Sequence, residues 1–242
     1  MSKQLLIYSN ITPVSSNQHK AFSVKGEGHL SFASEVNSVP VTASEFAQVA
    51  QELPVVFSEG DDLVPVVIMG FRDKQNLVIN AEGKWQGRYV PAFLRRYPFV
   101  FAGSTENDQF TLCVDDSYAG WNSDDKGERL FDSEGAQTQY LQGVVKFLQD
   151  YQTQLVRTQA FCKRIKELDL LEPVTANFQM AEGDRVSLGG FQAVSKSKLK
   201  SLPQETLMQM FAADELELIY QHLFSLGRFN HLIDLSNKTA QD

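Results

Sequence analysis

Short apolar runs bounded by turn residues fill the first half of the chain. Each run is four to eight residues long and is flanked by Gly, Pro, Asp or Asn, which is typical of β-strands. The predicted strands are 5–8, 54–57, 64–71, 76–80, 98–102 and 110–114. Polar residues at 72–75 and 81–84 predict turns between neighbouring strands. Strands joined by such short turns pair in the antiparallel direction, so this half predicts an antiparallel sheet.

The second half of the chain follows helical spacing instead. Apolar residues recur three or four positions apart within 141–165, and they predict one long amphipathic helix from about 136 to 168. Capping residues predict two further helices, one opened by the segment 201–204 and the other by the segment 214–217. Gly227 is the expected end of the second of these helices.

Two short helices are predicted among the strands. Thr42 and Glu45 match a capping box, in which the hydroxyl and the carboxylate accept the first free backbone N–H groups of a helix. Pro54 ends that helix. Pro91 starts another short helix, which we expect to run through Arg96.

Together these elements predict an α+β fold, with a mainly antiparallel sheet from the N-terminal half packed by helices mostly from the C-terminal half. A late hairpin within 174–194 would join the earlier sheet, which favours a single domain over residues 1–235. The acidic segment 117–135 is the alternative point of subdivision. We expect residues 236–242 to form a disordered tail.

Charge and composition exclude several classes of function. The chain has 30 acidic and 22 basic side chains and a formal net charge of -8, and its basic cluster at 196–200 is short, so nucleic-acid binding is not expected. Apolar runs are too short for a membrane span. The N-terminal apolar run is also too short for a secretion signal, which predicts a cytoplasmic location. Cys113 and Cys162 are expected to be free thiols.

Familiar catalytic and metal-binding motifs are absent from the sequence. There is no phosphate-binding loop, no serine nucleophile motif and no pair of histidines with metal spacing, so we predict no metal site and name no cofactor. His19 is the one catalytic candidate, because it lies in a polar segment before a predicted strand and imidazole exchanges protons near neutral pH. A structural role for this histidine is the alternative.

Two further places offer ligand-binding residues. Trp121 lies among the carboxylates of the acidic segment, where an indole face suits a sugar ring, although a solvated loop is the simpler interpretation. Arg95 and Arg96 are adjacent, and a guanidinium binds carboxylate or phosphate through two parallel hydrogen bonds. The alternative is that both arginines pair with acidic residues of the chain itself.

The segment 89–99, Tyr-Val-Pro-Ala-Phe-Leu-Arg-Arg-Tyr-Pro-Phe, contains two prolines and four aromatic residues and resembles the central motif of the SapC family. The flanking segments 54–57, 76–79, 188–191 and 218–226 follow the order of that family. The resemblance implies a bacterial protein named after a surface layer, with relatives encoded near outer-membrane receptors and halogenase-like proteins. It implies no catalytic residues.

Two hypotheses of function follow. The first is a non-catalytic binding or assembly protein of a bacterial surface or uptake-associated system, with a protein partner or a second copy bound along the helix 136–168. The second is an enzyme or small-molecule-binding protein that acts on an anionic or sugar ligand. The second hypothesis requires His19 and the arginines Arg95 and Arg96 to line one pocket.

Overall fold

The computed structural model describes residues 6–26, 28–60, 62–104, 109–179 and 185–239. In chain order its strands are β1 (Ile11–Pro13), β2 (Ser23–Val24), β3 (Ser38–Pro40), β4 (Val55–Ser58), β5 (Pro65–Ile68), β6 (Phe99–Ser104), β7 (Gln109–Asp115), β8 (Trp121–Asn122), β9 (Glu128–Arg129), β10 (Leu171–Gln179) and β11 (Arg185–Val194). Its α-helices are α1 (Ser16–His19), α2 (Phe46–Val49), α3 (Ala92–Arg95), α4 (Gln139–Glu167), α5 (Lys196–Lys200), α6 (Gln204–Ala212), α7 (Glu215–Ser225) and α8 (Phe229–Thr239).

The strands form three antiparallel sheets. The largest has five strands in the order β10-β11-β4-β5-β3, and the two smaller sheets have the orders β1-β7-β6 and β8-β2-β9. Strands from the first half supply most of this framework, and most of the helical residues follow residue 138. The predicted α+β fold is therefore confirmed.

Four of the six predicted strands are present, and two predictions are wrong. Residues 6–8 form a turn rather than a strand. Residues 76–80 contain a single bridge, between Ile79 and Trp85, and otherwise follow a turn. Leu77, Val78 and Ile79 are buried all the same. The apolar run therefore predicted burial correctly, but its backbone forms a turn instead of pairing with a neighbouring strand.

The long helix α4 spans two hydrophobic cores. Its first half places Leu141 and Leu148 in a smaller core with Phe99 and Val114. Its second half places Phe161, Cys162 and Ile165 in the main core, against the five-stranded sheet. The predicted helix 136–168 is thus confirmed within three residues at its start and one at its end, and its apolar row is used for packing within the chain.

The acidic segment 117–135 is an integral part of the smaller core. It supplies β8 and β9, which pair on either side of β2, and it buries Leu130 and Phe131. The late hairpin, β10 and β11, joins the main sheet because β11 pairs with β4. The turn predicted at 181–184 lies outside the described residues.

The C-terminal helices differ from the prediction after Gly227. Helix α7 begins directly after Asp214, as expected, and α6 begins at Gln204, the last residue of its predicted cap segment. The chain then passes through a short 3-10 turn, Leu226–Arg228, into α8. The disordered tail expected from residue 236 is therefore wrong for 236–239, which are helical. Leu232 of α8 is buried in the main core, and this contact holds the last helix in place.

His222 of α7 hydrogen-bonds to the backbone of both β4 and β11. The Val194 N–H donates to His222 Nε2 at 3.0 Å, so the proton of the ring lies on Nδ1, which donates to the Val55 carbonyl at 2.7 Å. The Val55 N–H donates to Ser225 Oγ at 2.9 Å. Two side chains of α7 thus satisfy strand groups that would otherwise be buried without partners. Burial lowers the pKa of His222 from 6.5 to about 4, which keeps the ring neutral.

This buried histidine predicts a loss of stability in mild acid. The unfolded chain takes up a proton at His222 near pH 6.5 while the folded chain takes it up only near pH 4, so stability is complete above pH 6.5 and declines between these values. The loss attributable to His222 by pH 4 is about 3 kcal/mol. We expect His222→Gln to remove this part of the slope in urea unfolding measured from pH 7 to pH 4. His231→Gln, at an exposed histidine of α8, should keep the slope; an unchanged slope in His222→Gln would contradict the assignment.

Candidate functional site

The carboxylate of Glu45 holds the segment 89–99 in place. One oxygen accepts the Thr42 N–H and the Thr42 hydroxyl, both at 2.9 Å, which confirms the predicted capping box. The other oxygen accepts the Tyr89 hydroxyl at 2.9 Å and the Ala92 N–H at 2.7 Å. A buried carboxylate needs several donors to offset its lost hydration, and here those donors come from two distant segments.

Arg96 lies inside a cage of aromatic rings. Only 5% of the residue is exposed, and its guanidinium carbon is 4.3 Å from the ring centre of Phe93, 5.2 Å from that of Tyr151 and 5.6 Å from that of Tyr8. It also hydrogen-bonds the Tyr8 hydroxyl, which in turn donates to the Phe99 carbonyl at 2.7 Å. Burial raises the pKa of Tyr151 to about 12, so this ring remains neutral beside the cation. Arg96 is thus a packing element of the fold.

Arg95 is exposed, and its surroundings differ from those of Arg96. Its Nε donates to the Val90 carbonyl at 3.0 Å and its terminal nitrogen donates to the Tyr89 hydroxyl at 3.0 Å. Its guanidinium also lies 5.2 Å from the ring centre of Phe147 on α4. The two adjacent arginines therefore have separate sets of partners, and the bonds of Arg95 brace the segment 89–99 from outside.

Tyr97 links the two hydrophobic cores. Its ring stacks on Phe32 at 4.1 Å between ring centres and meets Tyr118 edge-on at 5.4 Å. Tyr118 in turn packs against Trp121 at 6.3 Å. The density of aromatic residues in 89–99 is explained by these contacts, since the segment lies where the main core meets the smaller one.

His19 and Trp121 lie together in the smaller core region. Their rings are 6.2 Å apart, and both also pack on Phe22. His19 is 8% exposed at the end of α1, where its Nδ1 hydrogen-bonds the backbone of Ser15. The Trp121 indole N–H donates to the Asp115 carbonyl at 2.9 Å. His19 Nδ1 and the Trp121 indole N–H are therefore engaged with nearby backbone.

Trp121 nevertheless lines an open pocket of about 350 Å³. The wall of this pocket contains Lys25, His29, Asp124 and Lys126. The pocket is small and mixed in charge, and rings crowd the edges of the indole, so it offers a ligand less apolar surface than a stacked sugar requires.

The catalytic arrangement required by the enzyme hypothesis is not brought together. The contacts given above for His19 and for the arginines Arg95 and Arg96 have no residue in common. In the described part of the chain there is also no group of three or more His, Cys, Asp or Glu residues that could hold a metal ion. Asp115, the last residue of β7, accepts hydrogen bonds from Ser9, Asn10 and Ser117, so its carboxylate stabilises the fold.

Exposed apolar residues are concentrated on the helical hairpin formed by α6 and α7. Ile219 and His222 of α7 are buried against the core, so the opposite side of this helix faces outward. Four large apolar side chains are exposed on the hairpin, and we call them the outer face: Met208 (60% exposed), Phe211 (68%), Tyr220 (45%) and Phe224 (74%). The rings of Tyr220 and Phe224 are neighbours, 6.3 Å apart between centres. Exposed aromatic and methionine side chains are typical of protein-binding surfaces.

The sequence of α7 contains a signal for the outer face. Apolar residues of α7 occur at 216, 218, 219, 220, 223 and 224. Such an arc is wider than one buried stripe of a surface helix needs. Tyr220 and Phe224 belong to this arc and are exposed, whereas Ile219 is buried.

Acidic side chains accompany the outer face. Residues 201–227 contain no Lys or Arg, and Glu205, Asp214 and Glu217 are exposed there. Glu205 precedes Met208 by three residues and Glu217 precedes Tyr220 by three, so each glutamate lies one helical turn from an apolar residue of the outer face. The outer face therefore has an acidic rim. None of the helices in the described ranges is long and apolar enough to cross a membrane.

The different burial of the two arginines predicts different costs for the same substitution. Arg96→Gln removes a cation that the aromatic cage surrounds and should lower the free energy of unfolding by about 2–4 kcal/mol. Arg95→Gln removes exposed contacts and should cost less than about 1 kcal/mol. Urea unfolding of both variants at pH 7 provides the measurement. Equal costs would show that the cage does not distinguish the two positions.

Comparison with known proteins gives one match. A family model described as SapC matches residues 14–232, which include the segment 89–99 and the outer face. No curated protein and no solved structure matches the chain. Because the match covers most of the sequence, the chain belongs to the SapC family.

Proposed function

We propose that this chain is a non-catalytic binding protein that docks another protein on the outer face. The carrying observation is the exposure of Phe224 and Phe211, two large rings that are left in water although the fold has buried comparable side chains elsewhere. Burying one such ring in a partner contributes about 1.5–3 kcal/mol. Two rings together with Met208 and Tyr220 supply the central apolar cluster that protein interfaces use.

The acidic rim favours a partner of opposite charge over a second copy of the chain. Two copies that met through the same surface would bring Glu205 and Glu217 of one copy towards the glutamates of the other, and like charges across an interface oppose association. A partner that surrounds apolar residues with Lys and Arg would instead be attracted. We therefore assign the outer face to a different protein with a basic rim.

The setting of this proposal follows the family. SapC relatives suggest a bacterial surface or uptake-associated system, in which the chain would act from the cytoplasm. The two cysteines, Cys113 and Cys162, support a reducing compartment because both are buried free thiols. The proposal places the interface on α6 and α7 rather than along α4, since α4 exposes only Val156 among its large apolar side chains in the described range.

Site-specific photo-crosslinking tests the location of this interface. A benzophenone side chain at position 224 should form a discrete adduct with one protein in cells that natively express the chain, and the same group at position 156 of α4 should not. Glu205→Lys combined with Glu217→Lys should abolish the adduct by reversing the rim. An adduct from position 156 alone, or an adduct of two copies of this chain, would overturn the proposal.

Affinity measurements with the partner identified in this way test the energetics. Phe224→Ser should weaken binding about tenfold or more, while the matched variant Val156→Ser should leave binding unchanged. Both substitutions are at exposed positions, so each should change the free energy of unfolding by less than about 0.5 kcal/mol. A large loss of stability in Phe224→Ser would mean that the ring serves the fold instead.

A further inference from the structure

One face of α8 and the turn before it forms the wall of an open cleft of about 700 Å³. The residues of this wall are Arg228, His231, Leu235 and Lys238. Their spacing of three, four and three residues places all of them on one side of the helix. Three of the four are basic residue types, which is unusual in a chain with a net charge of -8.

The opposite wall of the cleft is a loop that is tied to α2. Its residues are Gln86, Gly87 and Arg88, together with Glu52 beyond the end of α2. Both oxygens of Glu52 accept the Arg88 N–H, at 2.9 and 2.8 Å. Gly87 permits this approach, since a Cβ atom there would lie 2.5 Å from a Glu52 oxygen. The Arg88 guanidinium remains extended, with 93% of its side chain exposed.

Positive charge is in excess within the cleft. Arg88, Arg228 and Lys238 carry permanent charges, and Glu52 is the single carboxylate among the lining residues. Glu52 is paired with Arg88, whose Nε lies 3.9 Å from one of its oxygens, whereas no carboxylate in the described ranges pairs with Arg228 or Lys238. Three cations against one carboxylate leave the cleft with a net positive charge, which attracts anions. The cleft is therefore suited to an anionic ligand.

We propose that this cleft binds a small organic anion with two anionic groups. Arg228 and Lys238 are ten residues apart, or about 15 Å along the helix, so two anionic groups of one ligand can each meet a cation at one end of this wall. Leu53, Val78 and Leu235 also line the cleft and suit an apolar carbon body. The volume lies in the range of small-molecule sites.

The arginines of this cleft differ from the pair that the sequence predicted to bind an anion. Arg95 and Arg96 are engaged by tyrosines, carbonyls and rings, whereas Arg88 and Arg228 line an open cleft from two separate elements. His231 lines the same cleft. The cleft also includes Leu235 and Lys238, which lie beyond the segment that the family model matches. The proposal does not depend on the protein-docking function.

Titration with three probe anions tests the cleft. The probes are suberate, which has an apolar chain with a carboxylate at each end, octanoate, which has one carboxylate, and inorganic phosphate. Binding is followed by backbone amide shifts at constant ionic strength. We expect suberate to perturb residues 86–88 and 228–238 with an affinity about tenfold higher than either other probe.

Matched charge-removing variants provide the control. Arg228→Gln and Lys238→Gln should each weaken suberate binding about tenfold, and Arg157→Gln, at an exposed arginine of α4 outside the cleft, should not change it. All three positions are exposed, so unchanged melting temperatures are expected. The proposal is overturned by a dissociation constant weaker than ~10 mM for suberate. Equal weakening in Arg157→Gln, or equal affinity for suberate and octanoate, would also overturn it.

Discussion

The carboxylate of Glu45 is the interaction on which the arrangement of the two cores depends. It accepts donors from Thr42 on one side and from Tyr89 and Ala92 on the other, so it fixes the distance between the start of α2 and the start of α3. Arg96, directly after α3, then falls within its aromatic cage, and Tyr97 falls between the cores. The Ala43 N–H donates to Thr158 Oγ1 at 2.9 Å, which attaches the same assembly to α4. One buried charge thus organises three segments that are distant in sequence.

His222 has a comparable role at the other side of the main sheet. By bonding to Val55 and Val194 it fixes the rotation of α7 about its axis. The residues on one side of the helix are then buried in the core, and Tyr220 and Phe224 are directed outward. The exposure of the outer face is therefore a consequence of a polar constraint within the sheet, and it does not require any weakness of packing in α7.

The sequence predicted local structure better than the positions of polar residues. Helix α4, the capping box at Thr42 and the pairing of the late hairpin with the earlier sheet all follow from periodicity or from short-range chemistry. Thr158 interrupts the apolar row of α4, yet it is buried because it accepts a backbone donor 115 residues earlier. The burial of His19, the catalytic candidate, and of Arg96, a ligand-binding candidate, was missed because their partners, Trp121 and Tyr151, come from remote segments that no local pattern specifies.

Charge is divided along the last forty residues in a way that separates the two proposed ligands. Residues 201–227 carry acidic groups and no Lys or Arg, whereas the face of α8 that begins at Arg228 carries cations. Phe224 and Arg228 are four residues apart, so the two regions adjoin at the end of α7. An anion would be repelled from the acidic rim and attracted to the cleft, and a basic partner would show the opposite preference. Since the two preferences are opposite in sign, the two sites can be occupied together without competition.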